Sequence, residues 1–147
     1  VVTIKNRTGI SSSETDKMKA AVTVTPAGAP GILSPAVIAE GRFVHLSGQG
    51  PLVDGAYTPA SFEQEARQTL ANLETVLKAS GSSLEQVVRC GVFLADLADM
   101  DAFNAVWGEV FAEPRPARTT IQAGALPGGI KVEVDCVALL DDDGPAR

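Results

Sequence analysis

A stripe of five apolar residues constrains this chain most. Phe62, Ala66, Leu70, Leu73 and Leu77 recur at steps of four, four, three and four, which puts them on one face of an α-helix. Ser61 precedes the stripe as an N-cap, with Gln64 three residues on to complete a capping box. Gly81 follows as the residue that can turn left-handed and end the helix. A second helix is predicted from Asp99, the expected cap. Its apolar face comprises Met100, Phe103, Val106, Trp107, Val110 and Phe111, and Pro114 and Pro116 end it. Each helix carries a single apolar face and must bury it against another layer.

Strand-like runs supply that layer. They are read at residues 21–25, stopped by Pro26, then at 37–39 and 43–46, joined by the turn-like Glu40-Gly41. Gly48-Gln49-Gly50-Pro51 is a sharp break. Residues 87–94 form a nearly continuous apolar run, as a central strand would, interrupted by Arg89, which is expected to reach an edge or a neighbour. Residues 118–123 and 130–140 are the last strands. In the latter, Ile130, Val132 and Val134 alternate with Lys131, Glu133 and Asp135. The expected fold is a two-layer α+β domain, with both helices on one face of a sheet of about six strands. No further helix remains for the other face, so an oligomer whose sheets meet is implied.

The remaining composition sets limits. A chain of 147 residues suits one domain. A net charge of −6 argues against nucleic acid or an anionic membrane surface as the main partner, because both need clustered Lys and Arg. No apolar run approaches the roughly 20 residues of a membrane span, and no signal-peptide pattern is present, so a cytoplasmic location is expected. Cys90 and Cys136 lie in strand-like runs and read as buried, reduced thiols. Residues 1–17 lack apolar periodicity and read as an extension, a tag or upstream residues ahead of a start at Met18. The alternative is a real strand at Val1-Val2-Thr3-Ile4. Residues 18–140 form the domain, and the acidic end, 141–147, reads as a solvated tail.

Few residues are available for chemistry. His45, the one histidine, sits in a strand-like run and reads as structural rather than catalytic. No His, Cys or carboxylate cluster has metal-ligand spacing. The Gly-x-Gly at Gly48 lacks the following helix that a dinucleotide site requires, although its glycines allow close backbone approach to a ligand. Arg118 opens a strand of Thr and Ile. Its planar guanidinium suits a carboxylate ligand, and an internal ion pair with Glu133 is the competing reading. Asn104 falls at the edge of the second helix's apolar stripe, where it either joins a site or faces solvent.

Taken in order, these segments resemble the RidA (YjgF) family. Its landmarks are matched by Ser47-Gly48-Gln49, Ala71-Asn72-Leu73, Gly81-Ser82-Ser83-Leu84 and Val92-Phe93-Leu94. The strongest match is Pro116-Ala117-Arg118-Thr119-Thr120-Ile121, followed by Ala125-Leu126-Pro127 and Val132-Glu133-Val134. The resemblance runs over residues 21–140.

The resemblance implies a chorismate-mutase-like fold of the bacillus type and a homotrimer with clefts between subunits. It also implies cofactor-free hydrolysis of reactive imines and enamines, the 2-imino acids related to 2-aminoacrylate, to 2-oxo acids and ammonia. Carried over, Arg118 matches the arginine that holds the substrate carboxylate, and Glu133 the glutamate that positions or activates water. Asn104 matches the helix asparagine near the pocket. Gly48 and Thr120 match positions whose backbone lines the ligand, with Ser47 beside them. One departure stands out. Many members carry Gly-Pro-Tyr-Ser before the second strand, whereas this chain reads Ile32-Leu33-Ser34-Pro35, with Leu33 in the tyrosine's place. Two alternatives therefore accompany the general deaminase reading: a pathway-specific deaminase for a larger substrate, and a non-catalytic trimer that binds a small carboxylate.

Overall fold

The capping signals around the first stripe are realised in atomic detail. The structure is a computed structural model that describes residues 2–6, 18–24 and 31–141. Helix α1 spans Phe62–Ala79. At its start the Gln64 amide donates to Ser61 Oγ at 3.3 Å, and the Ser61 amide donates to Gln64 Oε1 at 3.1 Å. At its end Gly81 adopts φ 76°, and the Ser82 amide donates back to the Leu77 carbonyl at 2.9 Å. Ala66, Leu70, Leu73 and Leu77 are buried, as the periodicity predicts.

Helix α2 spans Met100–Val110. The expected Asp99 cap is not made: Asp99 has no side-chain cap bond. The chain instead enters through a single 3-10 turn over Leu97–Asp99, capped by Asp96, whose Oδ1 accepts from the Ala98 amide at 2.9 Å. Both aspartates suit a cap, and the extra turn moves that role three residues upstream. Phe103, Val106 and Trp107 are buried against the core, and Phe111 follows them.

Seven strands are described: β1 (Val2–Asn6), β2 (Met18–Val24), β3 (Ala36–Glu40), β4 (Phe43–Gln49), β5 (Val87–Leu94), β6 (Ala117–Gln122) and β7 (Val132–Leu139). The expected sheet of about six strands is divided. One sheet has the order β4-β7-β5-β6, and the other is β1-β2-β3. The Glu40-Gly41 turn hands the chain from one sheet to the other instead of closing a hairpin. β3 pairs with β2, while β4 pairs with β7 in the register Phe43↔Leu139. Residues 2–6 are a strand antiparallel to β2, the arrangement their β-propensity allows. Residues 7–17 of the extension, Thr25 of the first expected strand and residues 142–147 of the acidic end lie outside the described residues.

Within the larger sheet β5 and β6 are parallel, and α2 makes the crossover that parallel neighbours require. Alternation along β7 holds: Val132, Val134, Cys136 and Ala138 are buried toward the helices, and Glu133, Asp135 and Val137 face the other way. Among the described residues, both helices pack on the first side. The second side carries Phe43 and His45 from β4, Arg89 and Phe93 from β5, and Thr119 and Ile121 from β6, with Arg89, Phe43, His45 and Ile121 exposed. His45 is thus a strand residue on the open face, not one enclosed in the core. Cys90 and Cys136 face one another across β5 and β7, buried and free as thiols.

Candidate functional site

The predicted site residues fall into two groups on opposite sides of the larger sheet. β6 pairs with β5 so that Arg118 lies beside Cys90 and Thr120 beside Val92, which puts both on the helix-facing side. Glu133 lies opposite Phe93, on the open side. The internal Arg118–Glu133 ion pair is therefore ruled out within one chain: strand alternation points the two side chains away from each other.

Arg118 meets α2 instead. Its Nη2 donates to Asn104 Oδ1 at 2.6 Å. Asn104 thus joins the site and does not face solvent. The guanidinium carbon lies 4.9 Å from the centre of the Trp107 ring and 5.5 Å from that of Phe103. Trp107 in turn packs against Phe111, with ring centres 4.1 Å apart. Burial lowers the Arg118 pKa from its ordinary value, with Cys90 opposing that shift. Arg118 stays charged, because even a lowered guanidinium pKa lies far above neutral pH. Among the described residues its Nε and Nη1 are buried without a partner, and so is Thr120 Oγ1, two residues along on the same side. Buried donors without partners are costly, by about 1–3 kcal/mol each and more when charged. A cation held by one bond and two ring faces, with two nitrogens unsatisfied, has the chemistry to accept an anionic group.

The segment containing Leu33 borders this group. The Trp107 Nε1–H donates to the Ile32 carbonyl at 2.7 Å. The Ser34 amide donates to the Pro116 carbonyl at 3.1 Å, forming a parallel bridge between Ser34 and Ala117. The Ser34 hydroxyl donates to the Arg115 carbonyl, and Arg115 Nη1 donates to the Gly31 carbonyl. Leu33, half-buried, is thus fixed on both sides next to the start of β6.

The second group gathers around Glu133. The β4–β7 register slips between Leu46 and Gln49, where Ser47 and Gly48 lie. A Cβ on Gly48 would stand 1.8 Å from Glu133 Oε1, so only glycine lets that carboxylate lie across the strand. The loop beyond is held by Asn72 of α1, whose Nδ2 donates to the carbonyls of Gly50 and Leu52, each at 2.8 Å. Sequence reasoning took Asn72 only as a landmark, and its role is invisible until the loop is seen folded over the helix.

A third polar centre escaped the sequence reading. Glu65 is 1% exposed on α1. Its Oε1 accepts from Tyr57 Oη at 2.9 Å, the Ala60 amide at 3.2 Å and Lys131 Nζ at 3.0 Å, and its Oε2 accepts from the Lys131 amide at 3.0 Å. Burial raises its pKa, but the bonds from Lys131, Ala60 and Tyr57 outweigh that, and the net shift is downward. A cavity of about 150 Å³ opens beside it, lined in part by Pro51, Thr58, Gln64 and Gln68, and contains none of the predicted site residues. Among the described residues no three His, Cys, Asp or Glu side chains converge as metal ligands, and no helix is long and apolar enough to cross a membrane.

Known proteins share this sequence pattern and fold. The family model described as Endoribonuclease L-PSP matches residues 25–140. Reactive Intermediate Deaminase A, chloroplastic, of Arabidopsis thaliana is 39% identical over 116 residues, 76% of this chain and 62% of its own length. The 2-iminobutanoate/2-iminopropanoate deaminase of Capra hircus is 36% identical over 121 residues, 79% of this chain and 88% of its own. The crystal structure of E. coli TdcF with bound serine has a TM-score of 0.63 at 32% identity, and the match covers 77% of this chain and 94% of that one.

Proposed function

The chain belongs to the RidA family, and from that premise we propose that it hydrolyses small 2-imino acids and their enamine tautomers to 2-oxo acids and ammonia, without a cofactor, as a cytosolic homotrimer. The observation that carries this reading is the guanidinium of Arg118, buried on aromatic rings with Nε and Nη1 unsatisfied. A small carboxylate supplies what it lacks. A nuclease has less support, since the net charge of −6 repels a polyanion.

In this mechanism Arg118 binds the substrate carboxylate, with Asn104 fixing the guanidinium from behind. The protonated imine carbon is the electrophile. Glu133 takes a proton from water as the water oxygen bonds to that carbon. Glu133 returns that proton to nitrogen, the C–N bond of the carbinolamine breaks to release ammonia, and the hydroxyl proton passes to water or to the ammonia, leaving the 2-oxo acid. Because Arg118 and Glu133 face opposite sides of one sheet, a complete site takes the arginine from one subunit and the glutamate from its neighbour. This also gives the open sheet face a partner. The serine-bound TdcF structure supports small-molecule binding by a relative. Leu33 supports a preference for larger apolar side chains, since burying apolar substrate surface contributes about 25 cal/mol per Å².

The test is ammonia release from imines generated in situ by an amino-acid oxidase, using leucine, methionine, phenylalanine and alanine. No acceleration over the spontaneous reaction on any of them overturns the deaminase reading and leaves a binding protein. Best activity on the alanine imine, unchanged in Leu33→Tyr, overturns only the specificity. Arg118→Ala should lose roughly 10- to 150-fold in affinity, and Glu133→Gln should lose turnover more than binding. Random trimers of these two variants should recover about a quarter of wild-type sites, because each site draws on two neighbours.

A further inference from the structure

Trp107 occupies a position no family landmark singles out. It is fully buried and it is the only tryptophan in the chain. Two separate features of its indole are engaged. The ring face lies 4.9 Å below the Arg118 guanidinium carbon. The ring N–H donates to the Ile32 carbonyl at 2.7 Å. Phe103 and Phe111 pack against the ring, with centres 5.9 and 4.1 Å away, so its plane cannot turn without moving these buried neighbours.

We propose that Trp107 is a positioning residue that ties the carboxylate clamp to the wall of the pocket. The proposal rests on the reading of Arg118 as that clamp. The electron-rich ring lies against the cation, where water would otherwise compete for it. The N–H fixes the carbonyl just before Leu33, and the Ser34–Ala117 bridge fixes the backbone just after it. The wall is therefore set at a defined distance from the clamp, and that distance determines which side chain fits between them. Phenylalanine at position 107 would keep the stacking and release the wall. An aliphatic residue would release both.

A uniquely tryptophan-specific experiment follows. Replacing all tryptophan with the analogue whose ring N–H is a sulfur changes one atom at one site, with shape and packing kept. Binding of pyruvate and of 4-methyl-2-oxopentanoate is measured by calorimetry for wild type, the analogue protein, Trp107→Leu and Arg118→Ala. The analogue should shift the ratio of the two affinities by about 3-fold or more, the scale of one lost hydrogen bond. It should lower thermal stability only by the loss of that one bond and leave the weaker ligand's affinity little changed. Trp107→Leu should weaken both ligands by about 3- to 10-fold through loss of the cation–π support. In wild type, fluorescence of Trp107 should change saturably with either ligand, and not in Arg118→Ala. An unchanged affinity ratio in the analogue protein, with both ligands still bound and both lost in Arg118→Ala, overturns the role of Trp107 and leaves the clamp standing. No binding by wild type, or full binding by Arg118→Ala, overturns the clamp and this proposal with it.

Discussion

Two buried charges in this chain are treated in opposite ways. Glu65 receives four hydrogen bonds from Tyr57, Ala60 and Lys131, which together tie α1 to the preceding loop and to the segment entering β7. Arg118 donates one, to Asn104, and keeps two nitrogens without partners among the described residues. A polar group that is fully satisfied serves the fold, because removing it strands its neighbours. A group left unsatisfied costs the fold free energy and is explained by something the fold itself does not contain. The difference separates a structural centre from a candidate binding centre without reference to any relative.

Substitutions can sharpen or break that contrast. The largest effect is expected at the satisfied centre. Glu65→Ala strands the Ala60 and Lys131 amides and takes the shared acceptor from the Tyr57 hydroxyl and the Lys131 ammonium, and should cost about 3 kcal/mol in urea or thermal unfolding. A loss under 1 kcal/mol would remove the distinction. Acid is the next lever. The folded-state pKa of Glu65 is lowered, so its contribution is fully present above the unfolded carboxylate pKa and lost as pH falls through the folded value. Unfolding free energy measured from neutral pH down through the carboxylate range should fall, and Glu65→Gln should flatten part of that fall. An identical acid limb in the variant would place the linkage elsewhere. The smallest stability effect is expected at the unsatisfied centre. Arg118→Met replaces a poorly paired buried cation with an apolar chain, and should change stability by less than about 1 kcal/mol, or raise it. A loss as large as that of Glu65→Ala would make Arg118 structural and withdraw the ligand reading.

Much was legible in the sequence, and for local reasons. The stripe from Phe62 to Leu77, the Ser61–Gln64 box and Gly81 each act within one turn of backbone, and α1 follows them residue by residue. Alternation in β7 was equally readable, since side chains on a strand point to opposite faces at every step. Arg118 stood out because a lone guanidinium opening a strand of Thr and Ile needs a partner. What was misread depended on competition between distant segments. The cap of α2 moved from Asp99 to Asp96 because an extra 3-10 turn enters first. The turn at Gly41 passed the chain between two sheets because β7 offered β4 its edge.

The two helices, the strands with their buried and open faces, and a short set of candidate site residues could be read along the chain, because propensity, capping and periodicity are properties of sequence neighbours. Tertiary packing set the rest: Arg118 pairs with Asn104 and not Glu133, Gly48 leaves room for the carboxylate that crosses it, Asn72 holds the loop beyond, and Trp107 touches both Arg118 and Ile32. Those relations join residues from 11 to 85 positions apart. Strand register and helix packing set them, and neither leaves a periodic trace in the sequence.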